Sequence, residues 1–219
     1  MKKLILFIIL FCLSFNLSYA DDRLDKPYNI GYAKRYGMVG IYGHLSDYIK
    51  DEWDNELSPG GGGFIYYNIF NDFWGNVSIG VNADYVGGEF VTEKKIKARA
   101  HMAPLSLHLA YMTSSNIVNA WAGVGFWYNF ATFNVKEAYF NNTKYGLDTS
   151  ITNQLIGVDA FAGLEYLFTK DGKWGAFFEF RYTYSQIPKL EVNIPNVGTV
   201  SDELDTQRFK YTVGFTYHF

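Results

Sequence analysis

The last eleven residues of the chain alternate between two chemical classes without interruption. From Phe209 to Phe219, every odd position is aromatic or valine and every even position is small or polar. A period of two is typical of a β-strand whose two faces meet different environments. Such a strand fits either a soluble sheet that points one face at a core or a sheet that is surrounded by lipid. The rest of the chain distinguishes these cases.

The first twenty residues have the composition of a secretory signal peptide. Lysines at positions 2–3 precede an apolar run over 4–15, and 18–20 is a small-x-small cleavage site. An N-terminal membrane anchor is the alternative, but the run is shorter than the roughly 20 residues that a spanning helix needs. We therefore expect residues 1–20 to be removed.

Cysteine usage and charge exclude several functional classes. Cys12 is the only cysteine, and it lies in the predicted leader after Phe11, where a lipidation site needs a small residue. We therefore expect a mature chain without disulfides, thiol chemistry or a lipid anchor. The formal net charge is −3 before the leader lysines leave, and no basic face for nucleic acid is visible. No later apolar run is long enough for a helix, so any membrane crossing must use strands.

Eight alternating segments follow a polar stretch at 21–35. Their connections are alternately long and short, and Asp171-Gly172 is a strong tight-turn signal in one of the short ones. The predicted strands are about 37–45, 61–70, 74–86, 99–112, 119–132, 153–168, 174–186 and 206–219. This arrangement predicts an all-β fold, an eight-stranded antiparallel up-and-down transmembrane β-barrel with short periplasmic turns and four longer outer loops. The predicted organisation is a signal peptide at 1–20, a periplasmic lead-in at 21–35 and a barrel at 36–219.

The alternation separates charged residues from apolar ones in the central strands. The predicted outward residues are the odd positions of 77–85 and 105–111 and the even positions of 122–130, 156–168 and 174–184. A lipid-facing Arg or Lys at the bilayer midplane costs roughly 2–4 kcal/mol, so this segregation favours lipid outside. The inward charges are predicted to form an interior polar plug, and they are Asp84, Asp159, Glu165, Glu179, Arg181 and Lys210. We take Arg181 as the hub of this plug, because it is the only arginine at a central inward position.

Some local features leave more than one interpretation. In the second strand, residues 64–69 are apolar or aromatic on both faces, so the outward set is ambiguous. Trp74, Trp121 and Trp174 lie near short turns and are expected to form a periplasmic aromatic girdle. Only Trp174 has outward parity, so the other two could instead plug the lower lumen. Pro104 removes a ladder donor, and we expect a bulge there.

Several segments resemble the small outer-membrane β-barrel proteins of the OmpA/OmpX/OmpW kind. They are residues 122–126, 163–168 and 174–182, together with the C-terminal strand. The resemblance implies a monomer in a Gram-negative cell outer membrane, in contact with outer-membrane lipid and lipopolysaccharide. It also implies that the C-terminal strand, with Tyr217 and Phe219, is the assembly signal that the barrel-assembly machinery reads. It implies little about activity.

Sites for chemistry are sparse. The four histidines are spread along the barrel and form no metal-binding pair, so we expect no metal, no cofactor and no enzyme activity. His44 with Ser46 is the only arrangement that resembles a hydrolase site, with Glu52 as a candidate acid. Gly123 and Gly125 lie in a strand without a following helix, which indicates room for bulky neighbours rather than a phosphate loop.

The outer loops carry the remaining specificity. The second long loop holds basic residues that could contact lipopolysaccharide phosphates or simply be solvated, and they are Lys94, Lys95, Lys97 and Arg99. The fourth long loop could extend its flanking strands above the membrane. The sequence therefore favours a non-enzymatic scaffold that presents surface loops for envelope or host contact. The alternative is an OmpW-like channel for small hydrophobic molecules, supported by inward Trp127, Phe161 and Phe177, and a lipid-modifying enzyme is the least favoured candidate.

Overall fold

The structure is a computed structural model that describes most of the predicted barrel. The described residues are 36–48, 58–71, 75–92, 96–113, 117–169, 171–185, 189–204 and 206–219. The predicted signal peptide and periplasmic lead-in lie outside the described residues. No helix long and apolar enough to cross a membrane occurs among the described residues.

Eight of the ten described strands form a closed antiparallel barrel, which confirms the predicted fold class. The strands are β1 Gly37–Tyr48, β2 Ser58–Asn71, β3 Gly75–Val91, β4 Ile96–Thr113, β5 Val118–Phe140, β6 Thr143–Leu167, β7 Trp174–Ser185, β8 Lys189–Ile194, β9 Gly198–Glu203 and β10 Arg208–His218. The ring order is β1-β10-β7-β6-β5-β4-β3-β2, and β8 with β9 forms a separate two-stranded sheet. The alternating C-terminal strand therefore closes the ring, with Val39 opposite Tyr217 and Ile41 opposite Phe215.

The outer wall of the lower barrel is apolar, as the alternation predicts. The side chains of Ile41, Leu105, Val124 and Leu164 are each more than half exposed. A soluble protein would bury such residues, whereas a lipid-facing wall requires them on the outside. The ambiguity in β2 is also resolved, because Ile65 and its odd-numbered neighbours face out while the even set faces in.

We call this apolar part of the outer wall the belt. The central strands β3 to β6 continue beyond it, and there apolar side chains face inward and polar side chains face outward. In β5, Phe133 and Val135 are buried on the inner face, whereas Lys136 is exposed. In β4, Ile96 is buried and Arg99 is exposed. The same alternation thus suits an outer face that contacts lipid in the belt and an outer face that contacts water above it. Residues 133–152 were expected to form a loop, but β5 and β6 pair through almost all of this range.

Two local expectations were wrong. No bulge occurs at Pro104, since Ala83 pairs with Leu105 and Val86 pairs with Met102 in one register. Pro104 has no N–H to donate to the neighbouring strand, so that backbone hydrogen bond is missing from the ladder. The N–H of the preceding residue, Ala103, donates to Asn129 Oδ1 at 2.8 Å. The predicted aromatic girdle also included a tryptophan that the structure places in the lumen.

Only one of the two described tryptophans near short turns belongs to a girdle. Trp174 faces out and packs on Tyr217 with ring centroids 4.9 Å apart. Trp121 instead enters the lumen, where it is 5% exposed. Its inward parity decides this position, because no local irregularity turns the ring outward. Trp74 lies outside the described residues.

A charge on the apolar wall should cost more than the same charge above it. We expect Leu107→Arg to destabilise the barrel in bilayers by about 2–4 kcal/mol, because the guanidinium would face the hydrocarbon region. Ser150→Arg, on an exposed position of the outer extension, is the matched control and should change stability by less than about 0.5 kcal/mol. Reversible urea unfolding in lipid vesicles measures both, and equal effects would contradict a lipid-facing wall.

Candidate functional site

The bottom of the lumen is closed by a buried carboxylate. Glu165 of β6 is 1% exposed and accepts hydrogen bonds from Asn119 Nδ2 at 2.8 Å and from the Thr216 hydroxyl. His218 Nε2 lies 2.8 Å from the same carboxylate. A carboxylate with three partners is stable in a buried position, since its lone pairs are satisfied.

Arg181 occupies the middle of the lumen and contacts two acids. Its Nη2 lies 2.8 Å from Glu179 Oε1, and its Nη1 lies 2.9 Å from Asp159 Oδ2. Nη1 also donates to His108 Nε2 at 2.8 Å, and the guanidinium carbon lies 4.5 Å from the Phe161 ring centroid. Arg181 thus contacts residues of β4, β6 and β7, and its role as the hub stays a prediction.

His108 extends the network to β2. Its Nε2 lies 2.8 Å from Arg181 Nη1 and 3.4 Å from Asp159 Oδ2, and its Nδ1 lies 2.7 Å from the Tyr66 hydroxyl oxygen. The ring therefore links the Arg181 group to Tyr66 of β2.

A third group of charges lies nearer the outer end. Asp84 accepts from Lys210 Nζ at 2.7 Å, and its other oxygen lies 2.9 Å from His44 Nε2. Ser46 Oγ lies 3.3 Å from His44 Nδ1. Among the residues considered as a hydrolase site, the structure thus brings Ser46 and His44 together, and Asp84 takes the place expected for Glu52. Glu52 lies outside the described residues.

This Ser–His–Asp row has the contacts of a structural network. Asp84 is already neutralised by Lys210, and Ser46 is completely buried. A nucleophile needs access to its substrate and a base whose partner stabilises the protonated imidazole. The row therefore extends the buried polar network. The six residues predicted for the plug are each at most 9% exposed, and their role as a plug stays a prediction.

Inward glycines make room for rings from neighbouring strands. A Cβ built on Gly125 would lie 2.2 Å from the His108 ring, and one on Gly123 would lie 2.5 Å from the Phe161 ring. Gly163 is covered in the same way by Trp121, whose Nε1 donates to Glu179 Oε2 at 3.0 Å. The lumen is thus filled by rings and ion pairs, as the interpretation of Gly123 and Gly125 predicted.

The outer end of the lumen is apolar. The β8–β9 hairpin packs onto the inner faces of the extended strands and forms with them a buried set that we call the outer apolar cluster. Its members are Val86, Phe90, Ile96, Ala98, Ala100, Met102, Trp127, Ala131, Phe133, Val135, Ala138, Leu155, Leu190, Val192, Ile194, Val200 and Leu204. The fourth loop therefore makes its own hairpin rather than an extension of the barrel ladder. The alternation over its two short strands was a signal in the sequence that the loop assignment missed.

A small cavity separates the outer apolar cluster from the polar plug. It is lined by Asn82, Asp84, Pro104, Ser106, Trp127, Asp159, Arg181, Thr183, Arg208 and Lys210. Arg208 was not among the predicted site residues, although its even position in the last strand gave it inward parity. No group of three or more His, Cys, Asp or Glu side chains that could hold a metal occurs in the described part of the chain.

The predicted surface and assembly residues that the structure describes lie outside the lumen. Arg99 is exposed and lies 3.9 Å from Glu89, and Lys97 faces the same outer side of β4. Lys94 and Lys95 lie outside the described residues. Tyr217 and Phe219 are on the outer face of the closing strand, and the Phe219 carbonyl accepts from the N–H of Tyr36 at 2.8 Å.

An ion pair ties the tips of β5 and β6 above the belt. Lys144 Nζ lies 2.8 Å from Glu137 Oε1. The hydrogen bond from Lys144 lowers the pKa of Glu137, and the same bond raises the pKa of Lys144. Both groups are solvent-exposed, so the pair orders the tip rather than stabilising the barrel appreciably.

Removing Arg181 should leave two buried carboxylates without their cation. We expect Arg181→Ala to lower the free energy of unfolding by about 3–5 kcal/mol. Arg99→Ala, which removes an exposed ion pair, should change it by at most about 1 kcal/mol. The temperature at which the folded band disappears in gel electrophoresis, together with urea unfolding in vesicles, measures both variants. Unchanged stability of the Arg181 variant would refute its role as the hub.

Comparison with known proteins supports the fold. No protein-family model and no curated protein matches the sequence. Among solved structures, the outer membrane protein OprG from Pseudomonas aeruginosa has a TM-score of 0.60 and 18% identity over 84% of this chain and 97% of that chain. A major outer membrane protein from Thermus thermophilus has a TM-score of 0.51 and 11% identity over 84% and 99%. The outer membrane protein AlkL, solved in lipid bilayers by solid-state NMR, has a TM-score of 0.50 and 16% identity over 89% and 94%.

These neighbours show the fold of small outer-membrane β-barrels. They confirm the predicted fold, and at such low identities they show nothing about activity. The expected location in the cell outer membrane agrees with them, since each is an outer-membrane protein.

Proposed function

We propose that this chain, which has the fold of the small outer-membrane β-barrels, is a non-enzymatic scaffold that presents its outer surface to the cell envelope or to external ligands. The observation that carries this proposal is the filled lumen. Buried charged groups centred on Glu165, Arg181 and Asp84 occupy its lower, middle and upper levels, each with hydrogen-bonded partners. A lumen packed in this way leaves the outer face as the working surface.

The outer surface of the extension carries charges suited to lipopolysaccharide. Lys97, Arg99, Lys136 and Lys144 belong to the strands β4 to β6 where these rise above the apolar belt. Arg99 has a side-chain exposure of 58% and only a loose contact with Glu89. Exposed cations at this height suit the phosphates of lipopolysaccharide, which are strong acceptors. We infer that this basic wall anchors the barrel among lipopolysaccharide molecules as a monomer, after assembly through the C-terminal strand.

Replacing the basic group should weaken contact with lipopolysaccharide selectively. We expect a variant with Gln at Lys97, Arg99, Lys136 and Lys144 to bind lipopolysaccharide micelles about tenfold more weakly than the parent chain, with a smaller salt dependence. Folding into lipopolysaccharide-free phosphatidylcholine vesicles should be unchanged, which provides the control. Equal binding by both proteins would mean that these residues are merely solvated.

The outer apolar cluster supports a second candidate, an OmpW-like conduit for small hydrophobic molecules. Trp127 and Met102 bring this cluster down to the cavity above the polar plug. An apolar solute would find matching contacts there after the β8–β9 hairpin moved aside. The conduit would then have to open through the wall, since the plug fills the lumen below.

Conductance distinguishes the two candidates. We expect the native barrel to pass no resolvable ion current in planar bilayers, because its charged groups are paired across the lumen. Arg181→Ala, which opens the plug, should give discrete conductance steps under the same conditions. Steps of similar size from the native barrel would favour the conduit over the scaffold.

A further inference from the structure

Three buried polar atoms beside the cavity above the polar plug have no hydrogen-bond partner among the described residues. They are Trp127 Nε1, Arg208 Nε and Asp159 Oδ1. The three residues are 3%, 4% and 6% exposed, and all of them line the cavity. A buried N–H or carboxylate oxygen without a partner is unfavourable, so we looked for a ligand that satisfies these atoms together.

The charges around this cavity already balance. The buried charged side chains that line it or pair with its lining comprise three cations and three carboxylates, and they are Arg181, Lys210, Arg208, Asp84, Asp159 and Glu179. An anion or a metal cation in this space would therefore add a buried charge that no group compensates. The ligand that fits this electrostatic environment is neutral.

The unpartnered atoms require a ligand that both accepts and donates hydrogen bonds. Trp127 Nε1 and Arg208 Nε carry N–H groups and can only donate. Asp159 Oδ1 belongs to a carboxylate whose other oxygen lies 2.9 Å from Arg181 Nη1, so in its ionised form it can only accept. A molecule with an O–H group and lone pairs on the same oxygen serves all three atoms.

The size of the cavity limits this ligand to about one heavy atom. The space open to the centre of a water molecule is about 10 Å³, which is close to what one water requires. Trp127 and the outer apolar cluster bound this space on one side, and Asp159 and Arg181 bound it on the other. An alcohol or a larger polar molecule would therefore be too big.

We propose that this cavity is a binding site for one buried water molecule, which joins the outer apolar cluster to the polar plug. The water oxygen accepts hydrogen bonds from Trp127 Nε1 and Arg208 Nε, and the water donates one hydrogen bond to Asp159 Oδ1. A bridging water is nearly as favourable as a direct hydrogen bond, so the three buried atoms are satisfied without added charge. The site requires neither lipopolysaccharide binding nor transport, so its test is independent of both candidate functions.

The water connects strands on both sides of β7. Trp127 lies on β5, Asp159 on β6 and Arg208 on β10, and β7 separates β6 from β10 in the ring. The hydrogen bond to Nε1 also positions the Trp127 ring, which lies so close to Gly157 that a Cβ built there would be 2.6 Å from it. The water thus extends the polar network above Arg181 and fixes a side chain at the base of the outer apolar cluster.

Nuclear magnetic resonance of the indole N–H groups tests for this water. Rotating-frame cross-peaks between water and each indole N–H are recorded for the barrel with isotope-labelled tryptophan in phosphatidylcholine nanodiscs, and Trp127→Phe assigns the Trp127 signal. We expect a Trp127 cross-peak with the sign opposite to the diagonal, which reports a nearby long-lived water rather than proton exchange. Trp121 is the matched control without a cross-peak, because it is 5% exposed and its Nε1 donates to Glu179 Oε2 at 3.0 Å. No cross-peak at Trp127, or an equal one at Trp121, would overturn the proposal.

Filling the cavity tests where the water is bound. Ser106 is 5% exposed and lines the cavity, so Ser106→Thr adds a methyl group there and keeps the hydroxyl. The Trp127 cross-peak should disappear, whereas a signal relayed through a hydroxyl proton would persist and would overturn the proposal. Ser78→Thr, at a buried serine outside the cavity lining, should leave the cross-peak unchanged. If Ser106→Thr does not fold, the comparison of Trp127 with Trp121 in the native barrel decides.

Discussion

The structure depends on one constraint: hydrocarbon solvates neither backbone hydrogen bonds nor charges, so both must be satisfied inside the sheet. The pairing of β1 with β10 leaves no open edge in the belt. The charges are then satisfied by one another across the lumen. Arg181 forms ion pairs with acids from β6 and β7 and also contacts a histidine from β4, so a single side chain joins three strands. Ion pairs in the plug thus satisfy the buried charges, as the hydrogen bonds between strands satisfy the backbone of the surrounding sheet.

The longest strands pass from lipid into water along their length, and the distribution of polar and apolar side chains changes at the same point. In the belt the inner face is polar, with Ser106 and His108 of β4 buried beside the plug. Above the belt the inner face of the same strand is apolar, from Ile96 to Met102. The side chains still alternate with a period of two, but the polar and apolar side chains exchange faces. A lipid-facing barrel and a small water-facing core are therefore parts of one continuous sheet.

Strand alternation was sufficient to predict the ring of eight strands, the outward faces and the buried charges. The alternation did not predict features that depend on contact with a second strand or hairpin. The extension of β5 over 133–140 looks like a loop until the β8–β9 hairpin supplies an apolar partner for Phe133. The contact of His44 with Asp84 joins β1 to β3, and sequence gives no register for such a pair. Arg208 was not among the predicted site residues, because only the three-dimensional arrangement shows that it lines the cavity and lies beside Met102.

The unequal heights of neighbouring strands have a consequence for self-association. The outermost pair between β6 and β7 is Gly157 with Ser185, yet β6 continues outward to Thr143. Along that stretch, among the described strands, β6 has a ladder partner on one side only. Bare edges of this kind invite strand addition from another molecule. The β8–β9 hairpin meets β6 within this stretch, where Asn153 Nδ2 donates to the Lys189 carbonyl at 3.5 Å, so a strand added to this edge would have to form next to the hairpin.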